Sequence, residues 1–254
     1  VKPLFLAHGS PMLAVEQNAY SQFLQQIGAS LKPDAIVIFT AHWETEAVTV
    51  SSKNDEYETI YDFYGFPDEL YQVKYPAKGS TKVAELVGRL LSEQHIPVAY
   101  DTSRGLDHGS WTMLKHMFPK ADVPVVQVSV NPDRPAADQY RIGEALRSLS
   151  SLNILVIGSG VTVHNLRAVK WGQQEPESWA VEFDDWLIEN MNNHDTNCLF
   201  QYEEKAPHAK MAVPRAEHFV PLYIALGSGS PGETPQVIYR SYEFGTLSYL
   251  SMQF

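Results

Sequence analysis

Two rhythms of apolar residues run along the 254-residue chain. Short unbroken runs at 2–7 (KPLFLA), 35–41 (AIVIFTA), 123–130 (VPVVQVSV) and 153–160 (NILVIGSG) read as strands covered on both faces. A further run at 47–52 (AVTVSS) reads as a strand pairing beside 35–41. Between these runs, apolar residues recur at three- and four-residue spacing over 19–31, 79–95, 136–151, 177–193 and 215–226, the pattern of helices with one buried face. Ser80 or Thr81 supplies a capping oxygen where the second of them starts. Two shorter strands are expected at 235–243 and 245–252. Strands alternating with helices predict an α/β/α sandwich: a largely parallel central sheet with helices on both faces, built as one domain over 1–254. No internal repeat, low-complexity tract or long linker divides the chain.

In open sheets of this kind, ligands bind beyond the carboxyl ends of the strands. The residues found there are informative. His8 follows the first strand in HGSP, His42 follows 35–41 in AHWE, and His164 comes after 153–160 in HNL. Two more histidines lie outside strand ends. His108 sits in the glycine-flanked turn GLDHGSW before the helical pattern WTMLKHMF, and His218 sits near the start of the helix at 215–226. A lone histidine such as His8 can equally cap a core strand, its ring nitrogens bonded to backbone. Three at separate strand ends favour a common target, and neutral imidazole is a ready ligand for zinc or iron. The spacings are long-range, and none forms a local zinc signature such as H-E-x-x-H.

Composition narrows the partners. Thirty acidic residues against nineteen basic ones give a formal net charge of −11, which disfavours nucleic acid and anionic membrane surfaces. No segment reads as a signal peptide or as the roughly 18 apolar residues of a membrane span. The single cysteine, Cys198, excludes an internal disulfide and suits a reducing, cytoplasmic location; its surroundings suggest a small core residue, not a nucleophile. The GSG at 158–160 lacks the rest of a phosphate-binding fingerprint. Trp43, Tyr61, Phe63, Tyr64, Phe66 and Trp111 either fill the core or, given the glycine and proline in YGFPDELY, wall a flat ligand from a loop. His95, His116, His194 and His208 read as bystanders.

Seven segments in order, HGSPM, AHWE, YDFYGFPDELYQVKYPAKGS, GLDHGSW, VVQVSV, HNLRAVKW and EHFVPLYIALG, resemble the DODA-type (LigB-like, class III) extradiol ring-cleavage dioxygenases. That family includes the 4,5-DOPA dioxygenase extradiol-like proteins. The resemblance extends from about residue 4 to the C-terminal GTLSYLSMQF. It implies that His8, His42 and His218 bind metal. It places His164 beside the metal, as acid/base or as a fourth nitrogen ligand, and directs His108 at substrate or the oxygen intermediate. Non-haem iron oxygenases commonly use two histidines and a carboxylate, whereas the third position here resembles a histidine with Glu217 directly before it. Consecutive helical residues point about 100° apart, which favours His218 as ligand and leaves Glu217 to cap or position the helix.

The implied activity is Fe(II)-dependent insertion of dioxygen into a catechol-type ring, DOPA among the substrates considered, giving a muconic semialdehyde. Zn(II) is the expected ion in purified or crystallised protein, since zinc outcompetes Fe(II) at such sites. Two other readings use the same histidines. One is a zinc-dependent hydrolase with Glu44 or Glu217 as general base; the other is a non-enzymatic metal-binding protein.

Overall fold

In the computed structural model, which describes residues 1–254, the apolar runs become strands β1 (Leu4–Ala7), β2 (Ala35–Glu44), β3 (Val48–Ser51), β4 (Val98–Asp101), β5 (Val125–Val130) and β6 (Ile154–Gly160). The C-terminal strands are β7 (Gln236–Tyr239), β8 (Tyr242–Glu243), β9 (Leu247–Ser248) and β10 (Ser251–Gln253). Eight of them form one sheet in the order β4-β3-β5-β2-β6-β1-β10-β7, while β8 and β9 form a separate hairpin. The central four, β5, β2, β6 and β1, are mutually parallel, so their carboxyl ends share one edge.

Alternate residues of these strands face opposite layers, as a period of two requires. Leu4, Leu6, Ile36, Ile38, Leu155 and Ile157 pack under α1 (Ala19–Ser30) and, in chain order after α2 (Thr81–Glu93), under α3 (His108–Met117). On the other face Val37, Phe39, Ile154 and Val156 pack against α2, α4 (Ala136–Ala145) and residues of a C-terminal helix. Phe5 and Met252 join α5 (Ser178–Asn192) and the short turns α6 (Thr196–Phe200), α7 (Tyr202–Lys205) and α8 (Ala209–Ala212). The C-terminal helix is α9 (Val220–Ser228). The three-layer α/β architecture expected from the apolar runs is therefore the one observed.

Several details differ from expectation. The 47–52 strand does not pair with 35–41: β2 already has β5 on one side and β6 on the other, so β3 lies outside β5, antiparallel to it, with β4 beyond. Strand β4 escapes the apolar pattern because it is an edge strand with two exposed residues among four. The helix expected over 136–151 ends at Ala145 and continues as a tighter 3-10 turn, Arg147–Leu152, closed by Asn153 in the left-handed region. The helix expected from 215 begins only at Val220. Pro221 suits the first turn, where its missing N–H costs nothing, so the preceding residues form a turn instead. The expected strands 235–243 and 245–252 are each broken, with Phe244 and Gly245 at positive φ between β8 and β9.

Helix α9 lies unusually close to its neighbours. A Cβ on Gly143 of α4 would sit 2.0 Å from the Ile224 carbonyl, and one on Gly227 would sit 2.1 Å from that of Tyr140. On the strand side, a Cβ on Gly158 would meet the Pro221 carbonyl at 2.3 Å, and one on Gly160 the carbonyl of His218, just before α9, at 2.1 Å. The glycines of the 158–160 GSG thus serve close packing. Gly143→Ala should destabilise the fold by about 1–3 kcal/mol through overpacking. Urea unfolding measures this, and an unchanged midpoint would show that α4 and α9 re-space freely.

Candidate metal centre

Each histidine of interest is carried by a different segment at the carboxyl edge of the sheet. His8 directly follows β1, and its N–H donates to the Gly160 carbonyl at 3.2 Å. Gly9, next to it, has φ +61° and leaves room for Tyr249, whose hydroxyl a Cβ would approach to 2.7 Å. Ser10 then caps a 3-10 turn, Pro11–Ala14, through its hydroxyl. His42 lies inside β2, which runs on to Glu44, and not beyond its end as the apolar run suggested. His164 follows β6 by a short loop, and its N–H donates to the Ala212 carbonyl at 3.0 Å. The His218 carbonyl accepts from the Val161 N–H at 2.8 Å, which joins the turn before α9 to that same loop.

His108 is the first residue of α3, so the helix starts three residues earlier than the WTMLKHMF pattern indicated. Asp107 is its cap and is fully buried. Its Oδ1 accepts from the Gly109 N–H at 3.0 Å and the Thr40 hydroxyl at 2.7 Å, and its Oδ2 accepts from Arg104 at 3.0 Å. Burial first, then the charge of Asp62, pushes the Asp107 carboxyl above its ordinary range. A Cβ on Gly109 would stand 2.6 Å from Thr40 Oγ1 and 3.0 Å from His42 Cδ2. Glycine at this position therefore lets the first turn of α3 press against β2 and the His42 ring.

The rings of His8, His42 and His218 form a near-equilateral triangle, with centroid separations of 4.8, 5.0 and 5.0 Å. One ligating atom from each lies within 4.8 Å of the others. His8 Nε2 and His42 Nε2 stand 3.0 Å apart. Two nitrogens about 2.0–2.1 Å from one ion and at a right angle would stand about 3 Å apart, so this pair fits a shared cation. The His108 ring lies beside that of His42, 3.9 Å away and tilted by 40°, and its Nδ1 lies 2.9 Å from Asp62 Oδ1, in ion-pair range but off hydrogen-bond geometry. His164 lies flat on His218, 3.8 Å away at 8°. It groups with Glu217 and His218, and does not share a ligand set with His8 and His42.

Burial lowers the pKa of His8 well below its ordinary value, with the neighbouring His42 adding to the shift. Burial, then His108, takes His42 down to about 2, and burial, then His218, takes His164 down to about 3. These three rings are therefore neutral at physiological pH, the state in which imidazole donates a lone pair to a metal.

The remaining polar groups are committed elsewhere. Glu217 does not cap α9, whose N-terminus has no side-chain cap; its Oε1 accepts from His218 Nδ1 at 3.2 Å. Glu44 forms a two-pronged pair with Arg215. Asp184 on α5, also fully buried, accepts from Thr162 at 2.6 Å, Ser248 at 2.5 Å and Tyr242 at 2.8 Å, tying down the loop that leads to His164. Trp111 is core, with its Nε1–H bonded to the Ile60 carbonyl, and Trp43 is buried under Arg104. Phe63 meets His108 edge-on at 5.6 Å, and Tyr64 is 92% exposed on the same loop. His116 is buried and bonded to the Leu13 carbonyl, while His95, His194 and His208 share a left-handed backbone away from the cluster. Surface cavities of up to about 620 Å³ lie elsewhere and are not lined by any of the five clustered histidines. Donor chemistry, not cavity size, marks the site.

Asp62, Asp107, Gly109 and Ser159 were not singled out from the sequence. Asp107 alone had a local signal, an Asp directly before a helical pattern.

Residues 3–252 match the family of the catalytic LigB subunit of aromatic ring-opening dioxygenases, and the chain belongs to that family. It is by class an extradiol ring-cleavage dioxygenase. It is 39% identical to the 4,5-DOPA dioxygenase extradiol of Beta vulgaris, over 98% of this chain and 95% of that one. It is also 39% identical to the protein of that name in Escherichia coli K12, over 98% and 93%. A 4,5-DOPA dioxygenase extradiol-like protein of Schizosaccharomyces pombe is 35% identical over 93% and 88%. A crystal structure of an uncharacterized Escherichia coli K12 protein superposes with a TM-score of 0.85 at 36% identity, covering 99% of this chain and 98% of that one.

The depressed histidines make metal-free stability depend on pH. An unfolded His164 takes up a proton as the pH falls below about 6.5, whereas the folded one does so only near 3. Its contribution to stability is complete above about 6.5 and is lost as the pH falls toward 3. Urea midpoints of the metal-free protein should fall from about pH 7.5 to about pH 5, and less steeply in His164→Gln. Equal slopes in the two proteins would contradict this.

Proposed function

We propose that the chain is a non-haem Fe(II)-dependent extradiol dioxygenase that inserts both atoms of dioxygen into a catechol-type ring and yields a muconic semialdehyde. DOPA, named for its relatives, is the first substrate to test. The observation that carries this reading is the triangle of His8, His42 and His218, with His108 beside His42 and His164 beside His218. In this reading residues 1–254 form one catalytic domain working in the cytoplasm, with catechol and dioxygen as its small-molecule partners.

His8, His42 and His218 would hold the ion, which when bound supplies a Lewis acid toward the catechol oxygens and a meeting point for the two reactants. His164, outside the triangle and stacked on His218, would accept the catechol proton on its ring and later return it. His108 directs its Nδ1 toward Asp62 and leaves Nε2 to accept a hydrogen bond from the substrate. Phe63, edge-on to His108, offers a wall for the flat ring.

The hydrolase reading needs a free carboxylate to activate water. Glu44 is held on both oxygens by Arg215; Glu217 gives Oε1 to His218 and keeps Oε2 without a hydrogen bond, 3.4 Å from Arg215, a cation that lowers its basicity. A role limited to holding metal leaves the His108–Asp62 pair without a task.

Anaerobic loading with Fe(II), followed by catechol and air, should give a yellow product and one dioxygen consumed per catechol. Hydrolysis with zinc and no oxygen uptake with iron would sink the reading. His42→Ala should lose metal. His164→Ala should keep most of it while turnover drops by about 10²–10⁴-fold; an empty site in that variant would make His164 a ligand.

A further inference from the structure

Ser159 is fully buried on β6, at the register position between Leu6 of β1 and Thr40 of β2. Its hydroxyl lies 2.5 Å from the Gly109 carbonyl oxygen and 3.0 Å from His8 Nδ1. A carbonyl oxygen only accepts, so the single hydroxyl proton of Ser159 is committed to Gly109. The contact with His8 then has one remaining sense: His8 Nδ1 carries the proton and donates it to Ser159 Oγ. A neutral imidazole has one N–H, so His8 Nε2 is left with its lone pair. That lone pair faces His42 Nε2 at 3.0 Å, inside the triangle.

We propose that Ser159 is a positioning residue that fixes the tautomer of His8, with the proton on Nδ1 and the lone pair on Nε2, by passing the constraint of the Gly109 carbonyl to the ring. The hydroxyl works as a relay with a set direction. The carbonyl on the first turn of α3 orients the serine proton, the serine oxygen orients the His8 proton, and the opposite ring nitrogen becomes the ligating one. This rests on the proposed metal role of His8 only for its consequence; the tautomer itself is a property of the metal-free protein. An alanine at 159 would leave Nδ1 facing an apolar methyl group. Its proton would then have no acceptor, and the Nε2–H form, which can bond to His42, would gain population.

Two measurements test this. Long-range ¹⁵N–¹H correlation of the metal-free wild-type protein, labelled at histidine, should show His8 with its proton on Nδ1. Finding it on Nε2 overturns the proposal whatever any variant does. In Ser159→Ala the same spectrum should shift toward the Nε2–H form. Competition with a chromophoric chelator should then show Zn²⁺ binding weakened by about 10–100-fold, the range for loss of a ligand's orienting partner. Unchanged Zn²⁺ affinity together with an unchanged tautomer would show that Ser159 is packing alone. If the proposed oxygenase activity fails while the tautomer and affinity results hold, the positioning role stands and the functional reading falls.

Discussion

The architecture of the site depends on one close approach, that of the first turn of α3 to strands β2 and β6. It requires Gly109, since any Cβ there would collide with Thr40 and His42. That single residue then serves three neighbours. Its N–H is held by the buried Asp107, its carbonyl takes the Ser159 hydroxyl, and its bare Cα lies against the His42 ring. His108 leaves from the residue before. Three of the five clustered histidines are thus referred to one turn of helix, and the capping carboxylate that stabilises that turn is itself bonded to Thr40 on β2. Local helix capping and site geometry are one set of interactions here, because the same atoms satisfy both.

The other two histidines are placed by the opposite layer. The turn before α9 brings its His218 carbonyl to the Val161 N–H, and Gly160 allows the approach. His164 comes from the loop that follows, held at Thr162 by Asp184 and at its own N–H by Ala212. The triangle therefore spans both helical layers across the strand ends. A change in sheet-to-helix spacing on either side moves one corner relative to the others, and neither layer can tolerate added volume where it meets the strands.

Much of this was legible as pattern. The parallel runs, their common carboxyl edge and the histidines of HGSP and HNL follow from hydrophobic period and from the placement of ligands beyond strand ends, whereas His42 of AHWE reaches the same edge from inside β2. Strand parity would also have placed Thr40 and Ser159 on the α3 side, in step with Ile36, Ile38, Leu155 and Ile157. What the pattern could not supply is which hydroxyl meets which ring, because that depends on how far α3 sinks toward the sheet. Asp62 illustrates the limit: it comes from an irregular loop, and only the tertiary path brings it 2.9 Å from His108. Likewise β3 next to β5 is a decision of the whole sheet, taken because β2 has no free edge.

The charge of the ligand set has a chemical consequence. Burial keeps His8 and His42 neutral, and Glu217 turns its carboxylate to His218 Nδ1 and Arg215 instead of entering the triangle. In the proposed reading, a divalent cation held by three neutral imidazoles would keep its whole +2 charge for incoming ligands, whereas a carboxylate ligand would cancel one unit. An anionic catechol oxygen would then meet the full charge in a poorly solvated setting, where such attraction is least screened. Glu217 and Asp62 remain just outside, the first accepting a hydrogen bond from His218 Nδ1 and the second within ion-pair distance of His108 Nδ1. There they can orient the rings without lowering the charge of a bound cation, and in the proposed reading such an arrangement would favour a deprotonated catechol over a neutral phenol.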